Sequence, residues 1–177
     1  MSEEVHAYAV VRIRGHIKVD HRIEDTMCML KVTRVNHCAI VPGTEQNKGM
    51  ITKAKDYITW GEIDPDTLAD LIAKKGRIFG EKSVTDAYVK EKTSYPSIQA
   101  LAKAIVKCEF KYKDLTDVKP MFRLHPPKGG YGTIKRAIHA GGTLGYRGKD
   151  INKFIQRMLE AEKIAAEKVV SKNADKK

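Results

Sequence analysis

Three short runs of apolar, mostly β-branched residues mark the first 63 positions, with two stretches of helical spacing between them. The first run, AYAVVRIRG, closes at Gly15 and predicts a strand. Alternation puts Ala7, Ala9, Val11 and Ile13 on one face and Tyr8, Val10, Arg12 and Arg14 on the other. The second run, Asn36 to Pro42, stops at Pro42-Gly43; the third, Tyr57 to Ile63, stops before Asp64-Pro65. Behind Asp20, a candidate N-cap, Ile23, Met27 and Leu30 recur at i, i+4 and i+7, the stripe of an amphipathic helix. Met50, Ala54, Tyr57 and Ile58 repeat that stripe before the third strand. The pattern predicts a β-α-β-α-β unit of α+β class over residues 1–63, with both helices on one sheet face and the other face free. Arg12 and Arg14, on the face turned from the expected core, suit phosphate binding better than stability.

Residues 64–177 read as an extension of that unit. Three short helices are predicted over about 64–108. Asp64-Pro65 starts the first, which carries Leu68, Leu71 and Ile72 and stops at Gly76. A capping-box pattern from Ser83 to Asp86 starts the second, over Val84 to Glu91. Pro96 starts the third, with Ile98, Leu101, Ala102 and Ile105 on one side. These helices read as a scaffold packed on the first unit. A strand-loop-strand follows over about 118–149, MFRLH and IKRAI flanking the loop PPKGGYG, and then a C-terminal helix over about 150–172. Asp150 is its candidate N-cap and Ile151, Ile155, Met158 and Leu159 its buried stripe. The polar tail beyond is a solvated helix end.

Charge singles out one of these segments. The chain carries a net +11, and seven of those charges fall in the 32 residues Val118–Lys149, which contain no Asp or Glu. The cations are Lys119, Arg123, Lys128, Lys135, Arg136, Arg147 and Lys149. An excess of this size favours a polyanionic partner through counterion release. Seven glycines, Gly129 and Gly130 among them, let the backbone approach a sugar-phosphate chain, and His125, Tyr131 and Tyr146 offer flat side chains for stacking on bases. With so few apolar groups the loop is expected to order only on RNA. No apolar run approaches the roughly 18 residues of a membrane span, and the acidic N-terminus does not read as a secretory signal, so no membrane partner and a cytoplasmic location are expected. Cys28, Cys38 and Cys108 are widely spaced and read as structural thiols in a reducing compartment.

Candidate chemistry is sparse. GGTLGYRGKD resembles a phosphate loop but has Thr143 where Gly is required and Asp150 where Ser or Thr is required. GGYG lacks the strand-loop-helix order of a dinucleotide site. The six histidines have no metal-ligand spacing, and there is no nucleophile elbow. One enzyme reading stands as an alternative: Arg14-Gly15 after strand one and Asn36 opening strand two could hold a phosphate and orient water, as in acylphosphatase-like hydrolases. The acidic cap after the loop argues against it. No cofactor, metal, catalytic residue or small-molecule substrate is assigned.

Several motifs in order carry a family resemblance. AYAVVRIRGHIKV, IEDTMCMLKVTRVNHCAIVPGT and NKGMITKAKDYITWGEI resemble the large-subunit ribosomal protein family numbered thirty, whose bacterial members are similar to residues 7–63 alone. MFRLHPPKGGYG, IKRAIHAGGTLGYRG and INKFIQRML resemble its longer archaeal form, related to the eukaryotic large-subunit protein seven. The likeness spans Ala7 to Leu159. It implies a ferredoxin-like split β-α-β core and a structural, non-enzymatic ribosomal protein that binds large-subunit ribosomal RNA near the 5S RNA, among neighbouring ribosomal proteins. Matched to the family's pattern, the RNA-facing positions are Arg12, Arg14, Lys18, His21, Arg22, Arg34, Asn36, His37, Lys48 and Lys53 in the core. In the extension Arg123, His125, Lys128, Gly129, Gly130, Arg136, Arg147 and Lys149 rest on charge and motif together, and Tyr131, Lys135 and Tyr146 join them from charge and stacking chemistry alone. An RNA-binding protein acting off the ribosome is the remaining alternative.

Overall fold

The computed structural model describes residues 6–160. The expected tail of the C-terminal helix, from 161 onward, lies outside these residues. Strands β1 (Ala7–Arg12), β2 (His37–Pro42) and β3 (Ile58–Glu62) alternate with helices α1 (His21–Met29) and α2 (Glu45–Lys53), the predicted order. Of the stripe read for the second helix, however, only Met50 lies in α2: Ala54 is its C-cap, Tyr57 is in the following turn and Ile58 opens β3. Asp20 caps α1 by accepting from Arg22 N at 2.8 Å, and Thr44 caps α2. Helices α3 (Pro65–Lys75), α4 (Asp86–Lys92) and α5 (Ile98–Val106) follow, then β4 (Phe122–Arg123), β5 (Gly145–Tyr146) and α6, described over 150–160. The protein is α+β, with one five-stranded sheet in the order β4-β2-β1-β3-β5.

β1 is central and antiparallel to both β2 and β3, so those two run parallel with β1 inserted between them. That is a split β-α-β arrangement. Val10 faces Ala39 on one side and Trp60 on the other. The face carrying Val10 packs under α1 and α2 with Met27, Leu30, Ile51 and Ile58.

The expectation of a free second face is overturned. Ala7, Ala9, Val11 and Ile13 lie in a larger core with Leu68, Leu71 and Ile72 of α3, Leu101 and Ile105 of α5, and Ile151, Ile155 and Met158 of α6. Alternation correctly sorts which β1 residues share a face. It carries no information on whether a segment distant in the chain covers that face. A strand buried on both sides reads as a near-continuous apolar run, which AYAVV is.

Two local expectations also change. The N-cap of α4 is Thr85, which accepts from Tyr88 N, so the capping-box pattern at Ser83 is not what starts the helix. Asp64 makes no side-chain cap at α3. The buried Asn152 of α6 instead accepts from Asp64 N at 2.9 Å and donates to Glu62 O at 3.1 Å, tying the β3–α3 junction to the last helix.

The strand-loop-strand of the extension is not a hairpin. β4 pairs antiparallel with β2 at one sheet edge, while β5 pairs parallel with β3 at the other. IKRAI is not a strand: Ala137 makes one bridge to Leu144, and Ile138–Ala140 is a 3-10 turn ended by Gly141 at φ +74°. β5 can approach β3 because position 61 is Gly, where a Cβ would collide with the Gly148 carbonyl oxygen.

Candidate nucleic-acid interface

The structure divides the expected RNA-facing residues into those built into the fold and those presented to solvent. Arg12 belongs to the first group and corrects the sequence reading. It is fully buried, and Nη1 and Nη2 donate to Glu24 Oε1 and Oε2 at 2.9 and 3.0 Å. Nη1 also reaches Thr33 O at 2.7 Å and Val32 O at 3.3 Å, and Nε donates to Arg14 O at 2.9 Å. With its donors committed inside, it has no face for a phosphate. Alternation alone could not reveal this partner, because it does not place Glu24 of α1 over the end of β1.

His37 and Asn36 form the corner between the core and β4. His37 is buried, and its Nδ1 accepts from Arg34 N at 3.3 Å. Burial holds its pKa below the ordinary value, and the charges of Arg123, Arg34 and Arg12 press the same way, so the ring is neutral. Asn36 sits at φ +67°, a conformation Asn tolerates better than most residues. Its N donates to Arg12 O and its O accepts from Leu124 N. Both residues help set the backbone path at this corner.

Arg147 and Tyr131 are likewise turned inward. The Arg147 guanidinium lies 4.6 Å from the Phe154 ring centroid and donates to Thr143 O and Thr59 Oγ1. Burial lowers its pKa. Tyr131 packs tilted on Phe154 at 6.1 Å, and burial pushes its phenol up to about 12. The loop therefore has apolar anchors that the sequence reading did not count: Leu124, Pro127 and Leu144 are buried beside it. Arg157 of α6 adds a polar clasp, donating to Lys128 O at 2.6 Å and Gly130 O at 3.2 Å. Gly129 and Gly130 both take positive φ, +82° and +78°, which makes this turn possible.

The second group is exposed. Lys18, His21, Arg22, Arg34 and Lys53 surround the ends and helices of the core, His21 beside Asp20 at 3.5 Å. Lys48 is half-buried and paired with Glu45 at 3.0 Å. In the extension Arg123, His125, Lys128, Lys135, Arg136 and Lys149 are exposed. Arg123 joins Lys75, Arg77 and Lys119 around Glu81, whose carboxyl is held below its usual pKa by its hydrogen bond from Lys119. Arg77 and Lys119 were not assigned from sequence; only the fold brings residues so far apart in the chain to one cleft.

A second concavity, of about 800 Å³, lies where β3 and β5 meet the loop after β1. Arg14, Tyr57, Trp60, Lys135 and Tyr146 line it together with Lys55 and His139. Arg14 lies 5.0 Å from the Tyr57 ring centroid and donates to Asp56 O at 3.2 Å. Tyr146, aligned with Trp60 across the β3–β5 pair, is tilted 48° to it at 6.3 Å and donates to Glu62. Sequence reading named Arg14, Lys135 and Tyr146 but not Trp60, the central residue of β3, although a half-buried aromatic on the same strand face as Ile58 was a usable signal. Among the described residues no group of His, Cys, Asp and Glu is arranged to hold a metal, and no helix is long and apolar enough to cross a membrane.

A split β-α-β sheet covered on both faces and ringed by exposed Lys and Arg defines a small basic α+β protein. The family model described as ribosomal protein L30p/L7e matches residues 8–58, and three similar proteins match nearly throughout. Those from Methanoculleus marisnigri, Methanobrevibacter smithii and Methanococcus maripaludis are 47%, 49% and 50% identical, each over about 85% of this chain and 99% of its own length, and each is named large ribosomal subunit protein uL30. The chain belongs to the ribosomal protein L30p/L7e family, in its long archaeal form.

Proposed function

We propose that the protein is a non-catalytic constituent of the large ribosomal subunit that grips folded ribosomal RNA and lies near the 5S RNA in the cytoplasmic ribosome. The observation that carries this reading is its likeness to proteins named large ribosomal subunit protein uL30 along 85% of the chain. The chemistry of its surface supports the same reading. Arg14, Lys18, Arg22, Arg34 and Lys53 of the core, with Arg123, Lys128, Lys135, Arg136 and Lys149 of the extension, present cations on loops, helix ends and a strand end. Such groups neutralise phosphates and fix register, while a shaped sheet-and-loop surface fits folded RNA through its backbone and 2′-hydroxyls. No bond is made or broken; the work is positioning.

The hydrolase reading has less support: the Asn36 side-chain oxygen, which would orient the water, is buried rather than open to a substrate. The test is binding of the purified chain to large-subunit and 5S RNA fragments over a salt series, with co-sedimentation of the endogenous protein. Steeply salt-dependent binding and recovery with large subunits are expected. A polypeptide found free of ribosomes and indifferent to RNA at low salt would overturn the reading.

A further inference from the structure

We infer that the concavity between Arg14, Trp60 and Tyr146 is a receptor for one unpaired RNA base with its flanking phosphates. The inference rests on the RNA-binding reading above and names a subsite within it.

Four features converge there. The volume, about 800 Å³, lies within the roughly 300–1,000 Å³ of clefts that take small-molecule-sized groups, and an extruded nucleotide is of that size. Its lining includes three aromatic residues, Tyr57, Trp60 and Tyr146, the last two tilted against each other at 6.3 Å. Tyr146 is 55% exposed, so its ring already stands in water and gains by being covered. The rim is cationic, with Arg14, Lys55 and Lys135 against the single carboxylate of Asp56. A base stacks on aromatic rings whatever its identity, and its backbone then runs past positive groups. A fully paired duplex cannot fill such a cleft, because its bases are stacked on one another.

The sheet holds the backbone of these walls in place. Trp60 and Tyr146 are paired across β3 and β5, and Arg147 N donates to Trp60 O at 2.8 Å. Arg14 is braced against Tyr57. A preformed receptor of this kind loses little freedom on binding. A polypeptide side chain is the competing occupant; the cationic rim favours the nucleotide.

Trp60 is the chain's single tryptophan, so its emission reports occupancy directly. The experiment uses the full chain and two short RNA duplexes, identical except that one carries a single unpaired adenine. One stacked base is worth a factor of about ten or more, so the bulged duplex should bind about tenfold more tightly and quench Trp60 while the paired one does not. Tyr146→Ala should abolish the preference; Tyr146→Phe, which keeps the ring and removes only the hydrogen bond to Glu62, should retain it. A chain that binds both duplexes equally with unchanged emission leaves the cleft to a polypeptide and overturns the assignment, while RNA binding stands. A preference untouched by Tyr146→Ala also overturns it. Failure to bind either duplex at low salt overturns the RNA-binding reading itself. Should Tyr146→Ala not fold, the wild-type contrast between the two duplexes decides.

Discussion

Arg12 at the end of β1 and Glu24 in α1 form a two-point ion pair, with the arginine fully enclosed and the carboxylate 31% exposed. An enclosed guanidinium deprived of its counter-charge is left without compensation, whereas a hydrophobic replacement removes charge and partner need together. Glu24→Ala is therefore expected to cost about 2–3 kcal/mol in urea unfolding, below the roughly 3–5 kcal/mol of fully enclosed pairs because water reaches Glu24. Arg12→Met combined with Glu24→Ala should recover part of that cost. Equal stability of Glu24→Ala and the wild type would show that the pair is not needed.

Acid should destabilise the protein in two stages. Burial and the surrounding arginines hold the His37 pKa below 6.5, so the unfolded chain takes up that proton first. Stability from this group is complete above about 6.5 and falls as pH drops below it, down through the folded value. The hydrogen bond from Arg12 holds Glu24 below its ordinary 4.5, so a second decline begins beneath that pH. Urea midpoints followed from neutral into acid pH should show both, and His37→Gln should remove only the upper stage.

Gly61→Ala should separate the extension from the core. A methyl group there meets the Gly148 carbonyl and Ile151, so β5 and the start of α6 must shift. Overpacking of this kind costs about 1–3 kcal/mol. Thermal unfolding measures the destabilisation, and a red shift of Trp60 emission should accompany it as Tyr146 moves away.

Exposed and enclosed arginines should behave oppositely toward RNA. Replacing Arg123, Lys128 and Arg136 together with Ala should weaken binding and lower the salt slope by about 0.7–0.9 for each phosphate that the variant no longer neutralises. Stability should change little. Arg147→Ala should instead destabilise the fold, because Phe154 and Thr143 are left without the guanidinium that packs on them, at an unchanged slope per folded molecule. An unchanged slope in the triple variant would remove the extension from the binding surface.

Arg157→Ala should loosen the turn it clasps. Without donors to the Lys128 and Gly130 carbonyls, amide exchange at residues 129–132 should rise by at least several-fold, with α6 protected as before.

Much of the fold was legible in the residues because its signals are local. The cap at Asp20, the Pro65 start of α3, and the stripes of α1, α3, α5 and α6 depend on neighbours within a few positions. So did the partition of β1 into its two faces, and the acid-free charge of residues 118–149. What covers a face, and which exposed-looking cation finds a partner, depends on packing between distant segments. Arg12 met Glu24, His37 was enclosed, and Arg147 turned onto Phe154 only once α1, β4 and α6 were packed. MFRLH and IKRAI read as two strands flanking one loop, but only Phe122–Arg123 of the first became a strand, and the sheet took it and Gly145–Tyr146 at opposite edges, against the open sides of β2 and β3. Trp60 and Tyr146, far apart in the chain, became walls of one cleft for the same reason: side-chain alternation is written in the chain, but strand pairing is decided by the whole fold.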